Sequence, residues 1–422
     1  MVKFKINIPE STKQQIRSQH QLQAWSKIPK IDVEVLRVPK QAVSLITQQL
    51  SKNPYIEFAE PDFKATKLDV PNDTYFSSQW GLSKINAPSA WDKTTGSSDV
   101  DIAVVDTGVD SNHPDLAGKV VSRANFTTDS DFDGDGHGTH VAGIASALTN
   151  NGIGVAGLER NARLFSVKVL DNKGAGYYSW IANGIIWAAD NGAEVINLSL
   201  GGTSSSKTLE NAINYAWSKG VVVVAAAGNN GRRSAFYPAY YSNVIAVAAT
   251  DQNDKKASFS NYGSWVDLAA PGVSILSTTH GSYESWSGTS MATPFVSGLI
   301  ALVKGEHPDW TSSQIRSKVE SSADKISGTG TYWSKGRINV CSAVDCIATT
   351  LSASPSPSPT VSPSPSPSSI PSVAPSASPS PSPSPSPSPS VLPSLAPTPT
   401  PTPSSSPKPW WCQYLPSYPG CE

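Results

Sequence analysis

Long apolar runs, a charge excess and cysteine are the three things this chain has little of, and each shortage excludes something. No stretch approaches the roughly 18 consecutive apolar residues of a membrane-spanning helix, so no transmembrane segment is expected. Lys plus Arg (32) nearly balance Asp plus Glu (33), for a net charge of −1 over 422 residues. That balance removes the electrostatic case for binding nucleic acid or an anionic membrane surface. The opening Met1-Val-Lys-Phe-Lys-Ile6 lacks the continuous apolar core of a secretory leader. The four cysteines fall in two close pairs, Cys341 with Cys346 and Cys412 with Cys421. Their even number and short spacing fit two local disulfides made in an oxidising compartment; a metal site is the alternative, although no histidine lies nearby.

The chain contains 35 prolines, and their uneven spread divides it. Residues 1–68 read as a small, basic α+β unit. Val2–Ile8 alternates like a strand, Ser11 caps a polar helix running to Gln23, and Ile31–Val38 alternates again. Gln41–Leu50 has helical spacing and Ile56–Glu60 is a last strand. Residues 69–346 alternate strand and helix patterns, the mark of a parallel sheet covered on both faces. The expected strands are Val100–Val105, Ala162–Leu170, Glu194–Leu200, Val221–Ala227 and Val244–Ala249; the expected helices are Thr139–Leu148, Tyr178–Asn191, Leu209–Lys219 and Met291–Val303. Residues 347–409 are dominated by Ser-Pro and Thr-Pro repeats, which cannot bury a core and read as an extended spacer. Residues 410–422 form a short aromatic loop between two cysteines, either a docking element or a loose tail.

Three segments carry candidate chemistry. Val104-Val-Asp-Thr-Gly-Val-Asp110 puts Asp106 at the end of an apolar strand, and His137-Gly-Thr-His-Val-Ala-Gly143 puts His137 ahead of an apolar helix. Gly288-Thr-Ser-Met-Ala-Thr-Pro294 puts Ser290 at the start of another. A serine before a helix is, taken alone, an N-cap. A hydroxyl becomes a nucleophile when a base takes its proton and a third group orients the base, and these three residues can meet at one sheet edge. The three segments, in this order, match the signatures of the subtilisin-like serine proteases, and the chain resembles the thermitase-like members of that family along most of residues 69–346. Pro71-Asn-Asp-Thr-Tyr-Phe-Ser-Ser78 and Tyr237-Pro-Ala-Tyr-Tyr-Ser-Asn243 belong to the same likeness.

The resemblance implies a three-layer subtilisin-like α/β fold with helices on both faces of a parallel sheet. Before it would stand a ferredoxin-like α+β propeptide ending in Phe58-Ala-Glu-Pro-Asp62, and after it a disordered tail. It implies a serine endopeptidase, autoprocessed near Leu68–Asp69, in which Ser290 forms an acyl-enzyme, His137 is the general base and Asp106 orients it. His140 is the competing base, better suited to a structural role on its helix. In Ala225-Ala-Ala-Gly-Asn-Asn-Gly231, Asn229 matches the family's oxyanion donor; taken alone, Asn-Asn-Gly after a strand is a turn. Peptide substrates would pair with two edges, Gly174, Ala175 and Gly176 on one side and Ser199, Leu200 and Gly201 on the other, with Tyr178 and Leu200 at a distal apolar pocket and Asn230 at the primary one. Arg232, Arg233 and Phe236 depart from the thermitase-like pattern, so the preference at the primary pocket stays open, apolar or aromatic side chains being the default.

The implied cofactor is a structural calcium ion held by Asp73, Asp115, Asn151 and the carbonyls of Leu148, Ile153 and Val155, an all-oxygen set suited to a hard cation. Asp129, Asp131, Asp133 and Asp135 crowd the loop ahead of His137 and suggest either a second calcium or a solvated acidic loop. The implied partners are polypeptide substrates and the chain's own propeptide as an intramolecular inhibitor, the alternative for residues 1–68 being an independent small domain. No nucleic acid is expected, and a monomer is, with envelope contact through the tail. A secreted or cell-surface location follows, its export route open: a start further upstream, another route, or retention inside. Two rival functions are a silent protease fold used as a binding module, and an adhesion protein whose working part is the Pro-rich tail.

Overall fold

Alternating side chains at the start of the chain build a four-stranded antiparallel sheet. The computed structural model describes residues 1–63 and 70–346. In the first segment lie β1 (Val2–Phe4), α1 (Glu10–Gln19), β2 (Gln23–Ile28), β3 (Val33–Arg37), α2 (Val43–Ser51) and β4 (Ile56–Ala59), with sheet order β2-β3-β1-β4. Val2, Phe4, Ile16, Leu22, Leu50 and Ile56 bury together between sheet and helices. Ser11 does not cap α1: the helix starts one residue earlier, behind Pro9, without a side-chain cap. The strand β2 has no counterpart in the sequence reading because all six of its residues are exposed, leaving no alternation to read.

The larger segment runs α3 (Trp80–Lys84), α4 (Ala87–Trp91), β5 (Asp101–Asp106), β6 (Val120–Asn125), α5 (His137–Ser146), β7 (Arg163–Lys168), α6 (Tyr178–Asp190), β8 (Val195–Leu198), α7 (Lys207–Ser218), β9 (Val222–Ala226), β10 (Val244–Thr250) and β11 (Leu268–Pro271). It continues through β12 (Ile275–Thr279), β13 (Ser282–Trp286), α8 (Thr289–Glu306), α9 (Ser312–Ser321), β14 (Gly336–Arg337) and α10 (Val340–Ala343). Eight strands form one sheet in the order β14-β11-β10-β9-β8-β5-β7-β6, every pairing parallel. Successive residues of its central strands enter opposite cores. Ile102 and Val104 join the layer that contains α5 and α8, whereas Ala103 and Val105 join the layer of α6 and α7. Burial on both faces explains why these strands read as continuous apolar runs. The half-exposed β6 and the strands β12 and β13 lacked that signature, and β12–β13 is a separate antiparallel hairpin. Cys341 and Cys346 form the expected disulfide; Cys412, Cys421, the spacer and the Leu68–Asp69 junction lie outside the described residues.

Topology places the site. From β5 the chain runs out to the edge strand β6, comes back to β7 beside β5, and then crosses to lay β8 against the other side of β5. The strand order reverses between β5 and β8, and a crevice opens there beyond the carboxyl ends of the strands.

Candidate active site

Asp106 is the last residue of β5 and is fully buried. Its Oδ1 accepts the Thr107 backbone N–H at 2.7 Å and meets His137 Nδ1 at 2.7 Å. Its Oδ2, also buried, has no hydrogen-bond partner among the described residues. His137 opens α5, two residues earlier than the apolar pattern indicated. The close approach of this helix to the end of β5 requires Gly138: a Cβ there would stand 2.0 Å from the Gly108 carbonyl. Gly138 N–H also donates to Thr107 Oγ1 at 2.9 Å, tying helix start to strand end. Burial pushes the His137 imidazolium towards losing its proton, but the Asp106 carboxylate outweighs that through its charge and its hydrogen bond, and Asp135 and Asp133 add to it. The net pKa lies above the ordinary histidine value.

Ser290 lies in the first turn of α8, half-buried. Its Oγ donates to the Ser199 carbonyl at 3.0 Å, and the Ser199 hydroxyl donates back to the Ser290 carbonyl at 2.8 Å. The second bond has a cause in the sequence. Pro294, four residues on, has no N–H to offer the Ser290 carbonyl, so a donor from β8's end takes its place. Ser199 Oγ in turn accepts from Asn197 Nδ2 (3.0 Å), and Asn197 Oδ1 accepts from Ser297 Oγ of α8 (2.8 Å). In this structure Ser290 Oγ is not hydrogen-bonded to His137. Ser199 and His137 nevertheless line one cavity, and hydrogen bonds of this kind are commonly unmade before substrate arrives.

Asn229 follows β9 and is exposed. Its Oδ1 accepts both the Thr289 backbone N–H and the Thr289 hydroxyl at 2.9 Å. With its oxygen held in that way, the amide Nδ2 is the end left to donate, and it lies beside Gly288. The cavity, about 410 Å³, is lined by Gly174, Ala175, Gly176, Tyr178, Ser199, Leu200 and Gly201 together with His137 and Asp135. Asn230 is exposed beside Asn229, its N–H donating to Asn261, and does not line this cavity. His140 faces away from the reacting groups: its Nε2 meets the Glu284 carbonyl at 3.0 Å and its ring stacks on Trp286 at 4.5 Å. Burial lowers its pKa to about 4 and keeps it neutral. The sequence reading missed Thr289, Asn197 and Trp286; Thr289 adjoins Ser290, but nothing in the pattern says that its hydroxyl turns towards Asn229.

The loop Leu148–Val155 wraps Asp73 and Asp115. Both carboxylates are buried; Asp73 Oδ2 accepts the Asn150 N–H, while Asp73 Oδ1 has no hydrogen-bond partner among the described residues. Asp115 accepts from Asn151 Nδ2 and the Val155 N–H, both at 2.8 Å. Along the loop, the carbonyls of Gly152, Gly154 and Ala156 accept hydrogen bonds. Those of Leu148, Ile153 and Val155 accept none from the described residues. An orphaned buried carboxylate oxygen beside three uncommitted carbonyls fits an oxygen-loving cation.

In the acidic loop before His137, where either a second calcium or a solvated loop is expected, most of the carboxylates are engaged by backbone N–H groups. Among the described residues no group of three or more acidic, His or Cys side chains is gathered to hold a metal ion. Asp133 spends its oxygens on the start of α5, accepting from Gly136 N, Thr139 N and Thr139 Oγ1. Asp129 accepts from Asn172 N, and Asp135 from His137 N, whereas Asp131 is exposed. Buried Lys168 brings a positive charge to this loop, its ammonium donating to Thr107 O and Asn172 Oδ1. Its pKa is lowered by burial against the pull of Asp133 and Asp129.

A histidine paired to a buried aspartate, a helix-borne serine and a fixed amide, all at the switch point of a parallel sheet, describe a serine hydrolase. Residues 97–339 match the family model described as the Subtilase family, and residues 1–62 match the Fervidolysin N-terminal prodomain. Thermitase from Thermoactinomyces vulgaris is 59% identical over 279 residues, covering 65% of this chain and 99% of that protein. The thermophilic serine proteinase of Bacillus sp. (strain AK1) is 54% identical over 307 residues, 72% of this chain and 76% of that one. A solved protease structure from Pseudoalteromonas arctica PAMC 21717 superposes with a TM-score of 0.60 at 36% identity, covering 65% of this chain and 98% of that chain. The chain belongs to the Subtilase family and is a serine endopeptidase whose N-terminal prodomain implies an autoprocessed precursor.

Proposed function

We propose that Ser290, His137 and Asp106 cleave peptide bonds through an acyl-enzyme. His137 Nε2 takes the Ser290 proton as Oγ attacks the scissile carbonyl, then delivers it to the leaving amine; water repeats the cycle to release the acid. Asp106 holds the tautomer with the proton on Nδ1 and stabilises the imidazolium. The Asn229 amide and the Ser290 N–H receive the oxyanion. The observation that carries this reading is the 2.7 Å His137–Asp106 bond beside a cavity also lined by Ser199, whose carbonyl accepts the Ser290 hydroxyl. Substrate lies extended between the Gly174–Gly176 and Ser199–Gly201 edges, held mainly by main-chain bonds, with Tyr178 and Leu200 at the distal pocket and Asn230 at the rim of the primary one.

In the same reading, residues 1–68 are the inhibitory prodomain, 69–346 the catalytic domain, 347–409 a spacer and 410–422 a terminal loop that contacts the cell envelope. The enzyme acts outside the cell as a monomer. Asp73, Asp115, Asn151 and the Leu148, Ile153 and Val155 carbonyls would hold a calcium ion that clamps their loop; the ion supplies stability and no chemistry.

A fluorophosphonate probe is expected to label Ser290 alone in the processed enzyme, and Ser290→Ala to leave an unprocessed precursor that does not cut casein. Labelling elsewhere, or processing by the variant, would refute the assignment.

A further inference from the structure

We infer that Phe236 closes the far end of the primary specificity pocket, so that the enzyme selects small side chains at P1, the residue whose carbonyl is attacked. The inference rests on the catalytic reading above and adds the substrate class. With that carbonyl at Ser290 and Asn229, and the peptide paired along Ser199–Gly201, the P1 side chain enters the slot between the Ser199–Gly202 edge and the Gly228–Asn230 turn. One ring touches both walls of this slot. A Cβ on Gly201 would stand 2.6 Å from Phe236 Cε1, and a Cβ on Gly228 would stand 2.9 Å from Phe236 Cγ. Only glycine on each wall lets the ring lie there.

The ring is held by its backbone. Gly202 and Tyr237 exchange two hydrogen bonds of 2.8 Å, and the Phe236 carbonyl accepts the Tyr240 N–H at 2.9 Å. Tyr237 packs against Tyr240 and Tyr241, with ring centroids 5.7 and 4.9 Å apart. A bulky P1 side chain must displace an aromatic ring whose neighbours are fixed, and such overpacking is unfavourable. An alanine needs no such movement. This narrows the apolar-or-aromatic default drawn from the sequence to small side chains.

The test uses the processed enzyme and four peptide anilides that differ only at P1: Gly, Ala, Leu and Phe. Wild type is expected to favour Ala over Phe by roughly tenfold or more in kcat/KM, the scale on which apolar pockets discriminate. Phe236→Ala is expected to raise kcat/KM for P1 Phe by a similar factor and so to shrink or abolish the Ala-over-Phe preference. Mapping the sites cut in denatured casein by wild type gives the same answer without a variant: P1 residues should be small. Equal turnover of P1 Ala and P1 Phe, or casein sites rich in aromatic P1 residues, overturns the inference while leaving proteolysis intact. No turnover of any anilide, with no fluorophosphonate labelling, refutes the catalytic reading and this one with it.

Discussion

His137 is the residue whose protonation gates the reaction. Its pKa is raised by Asp106 against the opposing effect of burial, and only the neutral imidazole can accept the Ser290 proton. kcat/KM is therefore expected to fall with decreasing pH along a limb centred above the ordinary histidine value of about 6.5. For stability the sign is opposite: a raised folded-state pKa favours the protonated fold at low pH, and that contribution disappears as pH rises through the folded value. Asp106→Asn is expected to move the kinetic limb to lower pH and to cut kcat by roughly 10⁴, the loss known for the same change in an unrelated protease with this triad. A pH–rate profile of both forms decides; an unmoved limb would mean that Asp106 does not set the His137 charge.

At the scale of elements, β8 and α8 are joined where the chemistry happens. Asn197 bridges Ser199, at the end of β8, to Ser297, two turns into α8, and all three side chains are buried. Ser199 supplies the donor that Pro294 withholds from the Ser290 carbonyl. Asn197→Ala leaves two buried hydroxyls short of a partner, which costs about 1–3 kcal/mol, seen as a lower unfolding midpoint. Because the same bridge fixes where α8 begins, kcat is expected to fall while KM changes little. A variant that loses stability with kcat intact would show that the bridge holds the core without aiming the serine.

Across the whole molecule, the Leu148–Val155 loop joins the segment containing Asp73 to the helical core. Thr74 and Tyr75 bond to it and Gln79 to Ala156 just after it, and Leu148 N–H donates to the Asp115 carbonyl. A cation bound there at a hundred times its Kd stabilises by about 2.7 kcal/mol, roughly 5–10 °C in Tm for a domain of this size. Excess EDTA is expected to lower the Tm of the mature form by that order, with Asp73→Asn reproducing the loss; an unchanged Tm would remove calcium from the account.

The sequence by itself determined the architecture and the chemical identities. Strands buried on both faces must be apolar throughout, which made β5, β8, β9 and β10 legible, and glycines sit beside Asp106, His137 and Ser290 as readable punctuation, Gly138 forced by close approach and Gly108 by its positive φ. Exposed β2 and the short hairpin β12–β13 had no such pattern and stayed hidden. Only the tertiary structure decided what depends on residues distant in the chain: Thr289 aiming Asn229, Asn197 tying β8 to α8, Lys168 bringing its ammonium to the acidic loop, and the Phe236 ring lying between Gly201 and Gly228. Local pattern records what a side chain is and how its own segment buries it. Which group it meets is set by strand order and helix packing, and those come from the whole chain.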